Sequence, residues 1–274
     1  GYRPNLAARQ LAGGKTSRVA VVVPDITNPY FSEFVQEVQQ SARRFSESVL
    51  VADSEQSARG EIDAVESLAP NVDGLIVSSP VAALAAVRDA ADGRPIVYVN
   101  RRGRGVAAVH VDQGAIVRLA VDHLRSLGHD RIGVVRGPAA FWSAEERSRI
   151  AGELGVAQLG PAGPTFEGGL DLIDDIVDGG FTAVATFNDV TAFGVLNGAA
   201  ARGIDVPDDL SVVGSDNIPF SAMSNPPLTT VDGRARAVGR EAHELLKSLL
   251  AGDSSSTVVV DPGLIVRSST GGTS

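Results

Sequence analysis

Residues 18–24, with the sequence RVAVVVP, contain the strongest fold signal in this chain. Their apolar and mostly β-branched side chains predict a strand that is buried on both faces and ends at the proline. Burial on both faces is typical of a parallel sheet, because the connections between parallel strands place helices on both sides of it. The stretch therefore predicts an α/β fold.

Further strand-like runs follow at residues 49–52, 74–78, 96–100, 107–111, 131–136, 183–187 and 211–214. Helical patterns separate most of them, and the strands are too many for one simple open sheet. We therefore predict two parallel-sheet, Rossmann-like lobes. The first comprises residues 17–104 and 232–254, the second comprises residues 105–231 and 255–270, and residues 1–16 precede both.

Composition excludes several classes of function. The net charge of −9 argues against a body that is one large nucleic-acid-binding surface. Without cysteine there are no disulfides, catalytic thiols or cysteine-ligated zinc sites. The four histidines lack metal-ligand spacing, so no metal is predicted. No apolar run approaches the roughly 20 residues that cross a bilayer, and no signal pattern is present. A cytoplasmic location without membrane contact is expected.

Enzyme motifs are absent as well. The first strand runs into PDITNPYF at residues 24–31, which lacks the glycines of a dinucleotide-binding turn. There is no G-x-x-x-x-G-K-[ST] phosphate loop and no G-x-S-x-G nucleophile elbow. The sequence thus predicts neither an enzyme nor a cofactor.

Polar residues follow the predicted strands at the point where each strand ends. They are Asp25, Asn100-Arg101, Asn188-Asp189 and Asp216. Ligands of open α/β sheets bind outside the carboxyl ends of the strands. For each single aspartate the alternative is that it caps the next helix. Because such strand ends occur in both lobes, a ligand cleft between the lobes explains them better together.

Several stretches resemble the LacI/GalR family of transcriptional regulators, namely residues 1–16, 19–38, 111–138, 187–217 and 226–231. The most specific motifs are PDITNPYF and VPDDLSVVGSD followed by PPLTTV. The resemblance covers nearly the whole chain and implies a fold like that of type I periplasmic binding proteins. It further implies a homodimeric repressor that binds a sugar, a sugar derivative, or a purine or nucleoside, and that thereby controls operator binding allosterically.

The segment NLAARQLAGGK, residues 5–15, is too short for an independent helix, since helices under about 12–15 residues are marginal in water. The resemblance implies a hinge helix that forms when two copies meet on operator DNA. Leu11 then corresponds to the leucine that wedges into the minor groove, Ala8 to a close-contact position and Asn5 to a DNA contact. The helix-turn-helix headpiece itself is expected to lie outside this chain.

The resemblance also implies effector contacts. Tyr30 and Phe31 match an aromatic pair that stacks on a ring, although Phe31 is alternatively a core residue. Arg101, like Asp25, would line the cleft from the first lobe. Trp142 is either a stacking platform or a packing residue.

In the second lobe, Arg147 matches an arginine whose planar fork binds effector hydroxyls or a carboxylate, and its alternative is a solvated helix face. Asn188 and Asp216 match polar effector contacts. The chain departs from the family in a compressed segment, residues 148–180, which leaves Arg149 as an alternative effector arginine. Ser215 replaces the usual aromatic residue.

A second hypothesis is a periplasmic or extracellular sugar-binding protein of a transporter, which would have the same two lobes. The hinge-like segment with Leu11 and Gly13-Gly14 favours the regulator, because a transport protein has no use for it.

Overall fold

A computed structural model describes residues 16–273, and the elements below belong to that range. The predicted hinge contacts Asn5, Ala8 and Leu11 lie outside the described residues. The strands are β1 Arg18–Val23, β2 Ser48–Asp53, β3 Gly74–Ser78, β4 Ile96–Val99, β5 Ala107–Val111, β6 Ile132–Val135, β7 Ala157–Leu159, β8 Ala183–Ala185, β9 Ser211–Ser215, β10 Thr229–Asp232, β11 Thr257–Val260 and β12 Gly263–Ile265. The α-helices are α1 Pro29–Arg43, α2 Ala58–Leu68, α3 Leu84–Ala90, α4 Gln113–Ser126, α5 Trp142–Glu153, α6 Phe166–Leu170, α7 Ile173–Asp178, α8 Asp189–Ala201 and α9 Ala235–Ala251.

The chain divides into two compact units, each built on one sheet. The first unit contains the described residues through His110 and Ala235–Val259, and the second contains Val111–Arg234 and the residues from Val260 onward. The α/β prediction with two parallel sheets is thus confirmed.

The sheet of the first unit has the strand order β11-β5-β4-β3-β1-β2. Its strand β1 lies between β3 and β2 and pairs with both in parallel. Residues 19–23 are at most 1% exposed, as the apolar run predicted. The helix that follows begins where the motif NPYF places it, because the Asn28 side chain accepts a hydrogen bond from the Tyr30 amide and Pro29 is the first helical residue.

The sheet of the second unit has the order β12-β10-β9-β8-β6-β7, and only β12 is antiparallel to its neighbour among the pairs described. Its central strand β8 pairs with β6 and β9, and all three of its residues are buried. The carboxyl ends of β6, β8, β9 and β10 therefore lie along one edge, which is where the candidate site is found.

All three predicted lobe boundaries differ from the structure. The sequence assigns residues 105–110 and 255–259 to the second lobe, but β5 and β11 are strands of the first sheet. It assigns residues 232–234 to the first lobe, but they belong to the second unit. The register of β5 with β4 runs from Val97 opposite Ala107 to Val99 opposite Val109. Residues 103–105 lie in the connection between these two neighbouring strands of one sheet.

The compressed segment, residues 148–180, still forms a complete connection between α5 and β8 in the second unit. After α5 it forms the edge strand β7 and the short helices α6 and α7. Helix α6 packs directly on α8 through two glycines, since a Cβ atom on Gly194 would lie 2.0 Å from the Phe166 carbonyl oxygen. A Cβ atom on Gly169 would lie equally close to the Thr191 carbonyl oxygen, at 2.0 Å. The shortened segment therefore depends on a backbone-to-backbone contact that only glycine allows.

Replacement of Gly194 by alanine is expected to lower the free energy of unfolding by about 2 kcal/mol, because overpacking would force α6 and α8 apart. Gly152→Ala on α5 is the matched control, because its Cβ atom would meet nothing closer than Gln158 Nε2 at 3.7 Å. That control should be neutral or stabilising by up to about 1 kcal/mol, as for glycine in an exposed helix. Urea denaturation of both variants measures the difference, and equal effects would contradict the close contact.

Candidate functional site

Asp189 organises the strand ends of the second unit. It is the first residue of α8 and is 0% exposed. Its carboxylate accepts hydrogen bonds from the Ile218 amide at 2.9 Å and from the Ser221 and Thr230 hydroxyls, each at 2.5 Å. Since these donors lie after β9 and on β10, one buried carboxylate holds the loop that follows β9 in place.

Asp216 lies at the start of that loop. Its backbone has φ of 118°, a conformation that side-chain-bearing residues rarely adopt, and its amide donates to the Val231 carbonyl at 2.8 Å. Strained backbone of this kind persists only where the surroundings hold it. The Asp189 contacts supply that support, so the position of the Asp216 carboxyl depends on them.

Arg147 approaches the same strand ends from α5. Its Nε donates to Gln113 Oε1 at 2.7 Å, and its Nη1 donates to the Phe187 carbonyl at 2.6 Å. The guanidinium also lies 5.0 Å from the centre of the Phe187 ring, within the range of a cation–π contact. Its positive charge lowers the pKa of Asp216, but burial and the charge of Asp189 have larger effects in the opposite direction. The charge of Arg147 therefore acts on the Asp216 carboxyl, and Arg147, Phe187 and Asp216 are called the strand-end cluster of the second unit.

Arg149 occupies a different face of the same helix. It is exposed and forms ion pairs along the helix with Glu146 and Glu153. Of the two candidate arginines, Arg147 is the one directed at the strand ends. Its assignment as an effector contact stays a prediction.

Asn188 is the N-cap of α8. Its Oδ1 accepts from the Thr191 amide at 2.8 Å, its Nδ2 donates to the Pro164 carbonyl at 3.0 Å, and the residue is 4% exposed. These contacts support a capping role, whereas its predicted role as an effector contact remains untested.

The alternative that Asp25, Asp189 and Asp216 cap the next helix is wrong. The N-caps of α1 and α8 are Asn28 and Asn188, and the short 3-10 helix that follows Asp216 has Ile218 at its N-cap position.

In the first unit, Asp25 forms a tight turn, since its Oδ1 accepts from the amide and hydroxyl of Thr27 at 2.8 and 2.6 Å. Tyr30 is buried and Phe31 is half-buried, and their rings pack edge to face with centroids 5.2 Å apart. The structure thus places Tyr30 in the core, while one part of Phe31 faces outward. Both stay predicted effector contacts.

Arg101 follows β4 and is half-buried. Its Nε is buried without a hydrogen-bond partner within residues 16–273, and the same holds for Ser78 Oγ at the end of β3. The Arg101 charge also lowers the pKa of Glu61, a carboxyl on α2 that is 2% exposed and whose pKa burial raises overall. Buried polar atoms without partners are rare in proteins. The strand ends of the first unit therefore offer polar groups that a ligand could satisfy.

Three residues of these clusters were missed or undervalued from the sequence. Glu61 is a carboxylate on the same helix face as Val65 and Leu68, and a charge in an apolar stripe was the available signal. Phe187 and Asp189 flank Asn188 directly in the sequence. No sequence signal distinguishes Phe187, whose ring contacts Arg147, from an ordinary strand residue. Trp142 is half-buried at the start of α5, and both of its predicted roles stay open to test.

Burial raises the pKa of Asp189 to about 6, although its three hydrogen bonds favour the ionised form. Burial and the charge of Asp189 raise the pKa of Asp216 well above its ordinary value. Both carboxyls therefore bind protons more tightly in the folded state. The stabilising contribution of Asp189 is complete below the unfolded value of 3.8 and is lost as the pH rises through about 6.

We therefore expect the stability of the wild type to fall, relative to Asp189→Asn, by on the order of 2 kcal/mol between pH 4.5 and pH 8. Urea denaturation of both proteins across this range measures the effect. Parallel pH profiles for the two proteins would contradict a raised pKa at Asp189.

Within residues 16–273 no group of three or more acidic or histidine side chains is arranged to hold a metal ion. None of the helices in that part of the chain is both long and apolar enough to cross a bilayer.

Comparison with known proteins gives consistent results. A family model described as a periplasmic binding protein-like domain matches residues 121–270. The HTH-type transcriptional repressor CytR of Escherichia coli (strain K12) is 31% identical over 288 residues, which cover 98% of this chain and 84% of that protein.

Solved structures match as well. A LacI family transcriptional regulator from Arthrobacter sp. FB24 in complex with lactose is 29% identical, with a TM-score of 0.83, and the match covers 92% of this chain and 99% of that one. The lac repressor dimer bound to operator and the anti-inducer ONPF is 25% identical, with a TM-score of 0.87, and the match covers 99% and 100% of the two chains.

Proposed function

Because the chain belongs to the LacI family of transcriptional regulators, we propose that its effector is a sugar or sugar derivative held at the strand-end cluster of the second unit. The protein is a ligand-responsive, DNA-binding regulator of the repressor type. The transporter alternative is not favoured, because the relatives that match over nearly the whole chain are regulators.

The observation that carries the proposal is that Arg147 donates to the Phe187 carbonyl at the carboxyl end of β8, and its charge acts on the Asp216 carboxyl at the carboxyl end of β9. A carboxylate accepts hydrogen bonds from two neighbouring hydroxyls, and an arginine fork donates to hydroxyl or carboxylate oxygens. The Phe187 ring beside them offers an apolar face of the kind on which the C–H side of a sugar ring packs. The complex of the Arthrobacter relative with lactose supports the same ligand class.

The regulatory mechanism follows from linkage. The effector binds one conformational state of the protein more tightly than another, and the two states differ in affinity for operator DNA. The coupling is reciprocal, so operator DNA changes effector affinity by the same factor. We propose that the protein acts in the cytoplasm as a homodimer, as the operator-bound lac repressor dimer supports, with Leu11, Ala8 and Asn5 as hinge contacts to DNA.

A thermal-shift screen tests the proposal. The panel contains ribose, lactose, cellobiose, sugar phosphates, nucleosides and amino acids. A ligand at about 100 times its Kd adds roughly 2.7 kcal/mol to stability, which raises Tm by about 5–10 °C for a chain of this size. A sugar that stabilises the wild type but not Asp216→Asn supports the proposal. Stabilisation by nucleosides alone would overturn the sugar assignment, and a hit that persists in Asp216→Asn would overturn the site.

A further inference from the structure

A cavity lies in the first unit, at the amino ends of its strands. It has a volume of about 260 Å³ and is lined by the first residue of β4, Ile96, by the residue before β5, Val106, and by Leu249 near the end of α9. Strands β4 and β5 are parallel, so this edge is opposite the one at which Asn100 and Arg101 follow β4. The cavity is therefore separate from Ser78 and Arg101, the polar groups at the carboxyl ends of its own sheet.

The charged residues that line the cavity are all positive. Arg88 and Arg94 line it, and none of its lining residues is acidic, although the chain as a whole carries a net charge of −9. Both arginines are exposed, and neither forms an ion pair or a side-chain hydrogen bond within residues 16–273. Two guanidinium groups with unused donors beside one cavity favour an anionic ligand.

The remaining walls are mostly apolar. Tyr98 forms part of the lining and is 3% exposed, and its hydroxyl donates to the Leu84 carbonyl at 3.3 Å. Burial raises the pKa of Tyr98 to about 12, so the phenol is neutral near pH 7 and adds no negative charge. Together with Ile96, Val106 and Leu249, it provides apolar surface for the body of a ligand. A fully hydrated inorganic ion would leave this surface unused.

We infer that this cavity is a binding site for a small organic anion, with a carboxylate or phosphate at Arg88 and Arg94 and an apolar ring or chain against Ile96, Val106 and Leu249. The volume of about 260 Å³ lies just below the usual range of small-molecule sites, which begins near about 300 Å³, and suits a molecule of about one ring. The site is independent of the proposed effector cluster.

Isothermal titration with benzoate and phenyl phosphate tests the inference, and benzamide serves as the neutral isostere of benzoate. We expect at least one of the two anions to bind with a stoichiometry of one per chain and to bind at least about tenfold more tightly than benzamide, as charge-assisted hydrogen bonds imply. Binding should persist in Asp216→Asn, which separates this site from the effector cluster. The absence of binding by both anions, or equal binding of benzamide and benzoate, would overturn the inference.

Variants locate the site. Arg88→Gln with Arg94→Gln should weaken anion binding by about a hundredfold, since each substitution removes one charged donor. Arg44→Gln is the matched control, because Arg44 is also exposed, lies in the same unit and does not line the cavity. Ser255→Phe fills the cavity from an exposed loop and leaves both arginines intact, and it should also weaken binding. Unchanged affinity in both the double variant and Ser255→Phe would place the anion elsewhere.

Discussion

Replacement of Asp189 by alanine is expected to lower the free energy of unfolding by about 3 kcal/mol at pH 7. The substitution leaves the Ile218 amide and the Ser221 and Thr230 hydroxyls without their common acceptor. Each buried donor left unsatisfied costs about 1–3 kcal/mol, and relief of the buried charge offsets part of the sum. Urea denaturation followed by the fluorescence of Trp142, the one tryptophan of the chain, reports on the second unit directly.

Asp189→Asn is the matched control for this prediction. Its side-chain oxygen still accepts from one or two of the three donors, so the loss should be about 1 kcal/mol. The alanine variant should also lose effector binding, because the loop that begins with Asp216 is no longer held in place. If Asp189→Ala proved as stable as the wild type, the organising role of this carboxylate would be wrong.

Replacement of Arg147 by alanine is expected to weaken effector binding by about a hundredfold or more. The variant loses a bidentate, charged donor, and each such hydrogen bond contributes on the order of 1.5–3 kcal/mol. Arg147→Lys should restore little of the affinity, because an ammonium group cannot reproduce the planar fork. Titration calorimetry with the sugar identified by the thermal-shift screen measures both variants.

Arg149→Ala is the matched control on the same helix. Arg149 is exposed and contacts Glu146 and Glu153, so its loss should leave effector affinity within about twofold of the wild type and change stability by less than about 1 kcal/mol. Equal losses in Arg147→Ala and Arg149→Ala would show that the affinity responds to the charge of the helix and that direct contact by Arg147 is not required.

The central elements could be predicted because their signals are local. Residues 19–23 are apolar in succession, and a strand buried on both faces needs this pattern. Asn28 and Pro29 mark the start of α1 by their own chemistry, as cap and first helical residue. The assignment of β5 and β11 could not be read this way, because which sheet a strand joins depends on hydrogen bonds to distant strands.

The candidate site likewise contains residues that the sequence could predict and one whose function it could not. Asp216 and Arg147 could be proposed from their positions in recognisable motifs, and the structure brings them together in one unit. The function of Asp189 could not be predicted, since its partners Ile218, Ser221 and Thr230 are 29 to 41 residues away in the sequence. Burial of a carboxylate among distant donors is a property of the folded chain, and no pattern within a few residues reports it.

The most direct test of the proposed effector site is a calorimetric titration of the wild type and Asp216→Asn with the sugar that most stabilises the protein. The account predicts one bound ligand per wild-type chain and a loss of affinity of about a hundredfold in Asp216→Asn, with the variant still folded. The amide keeps the shape of the carboxyl but replaces one acceptor oxygen with an NH₂ donor. Unchanged affinity in a folded Asp216→Asn variant would contradict the account, because the effector would then bind without the residue on which the site is built.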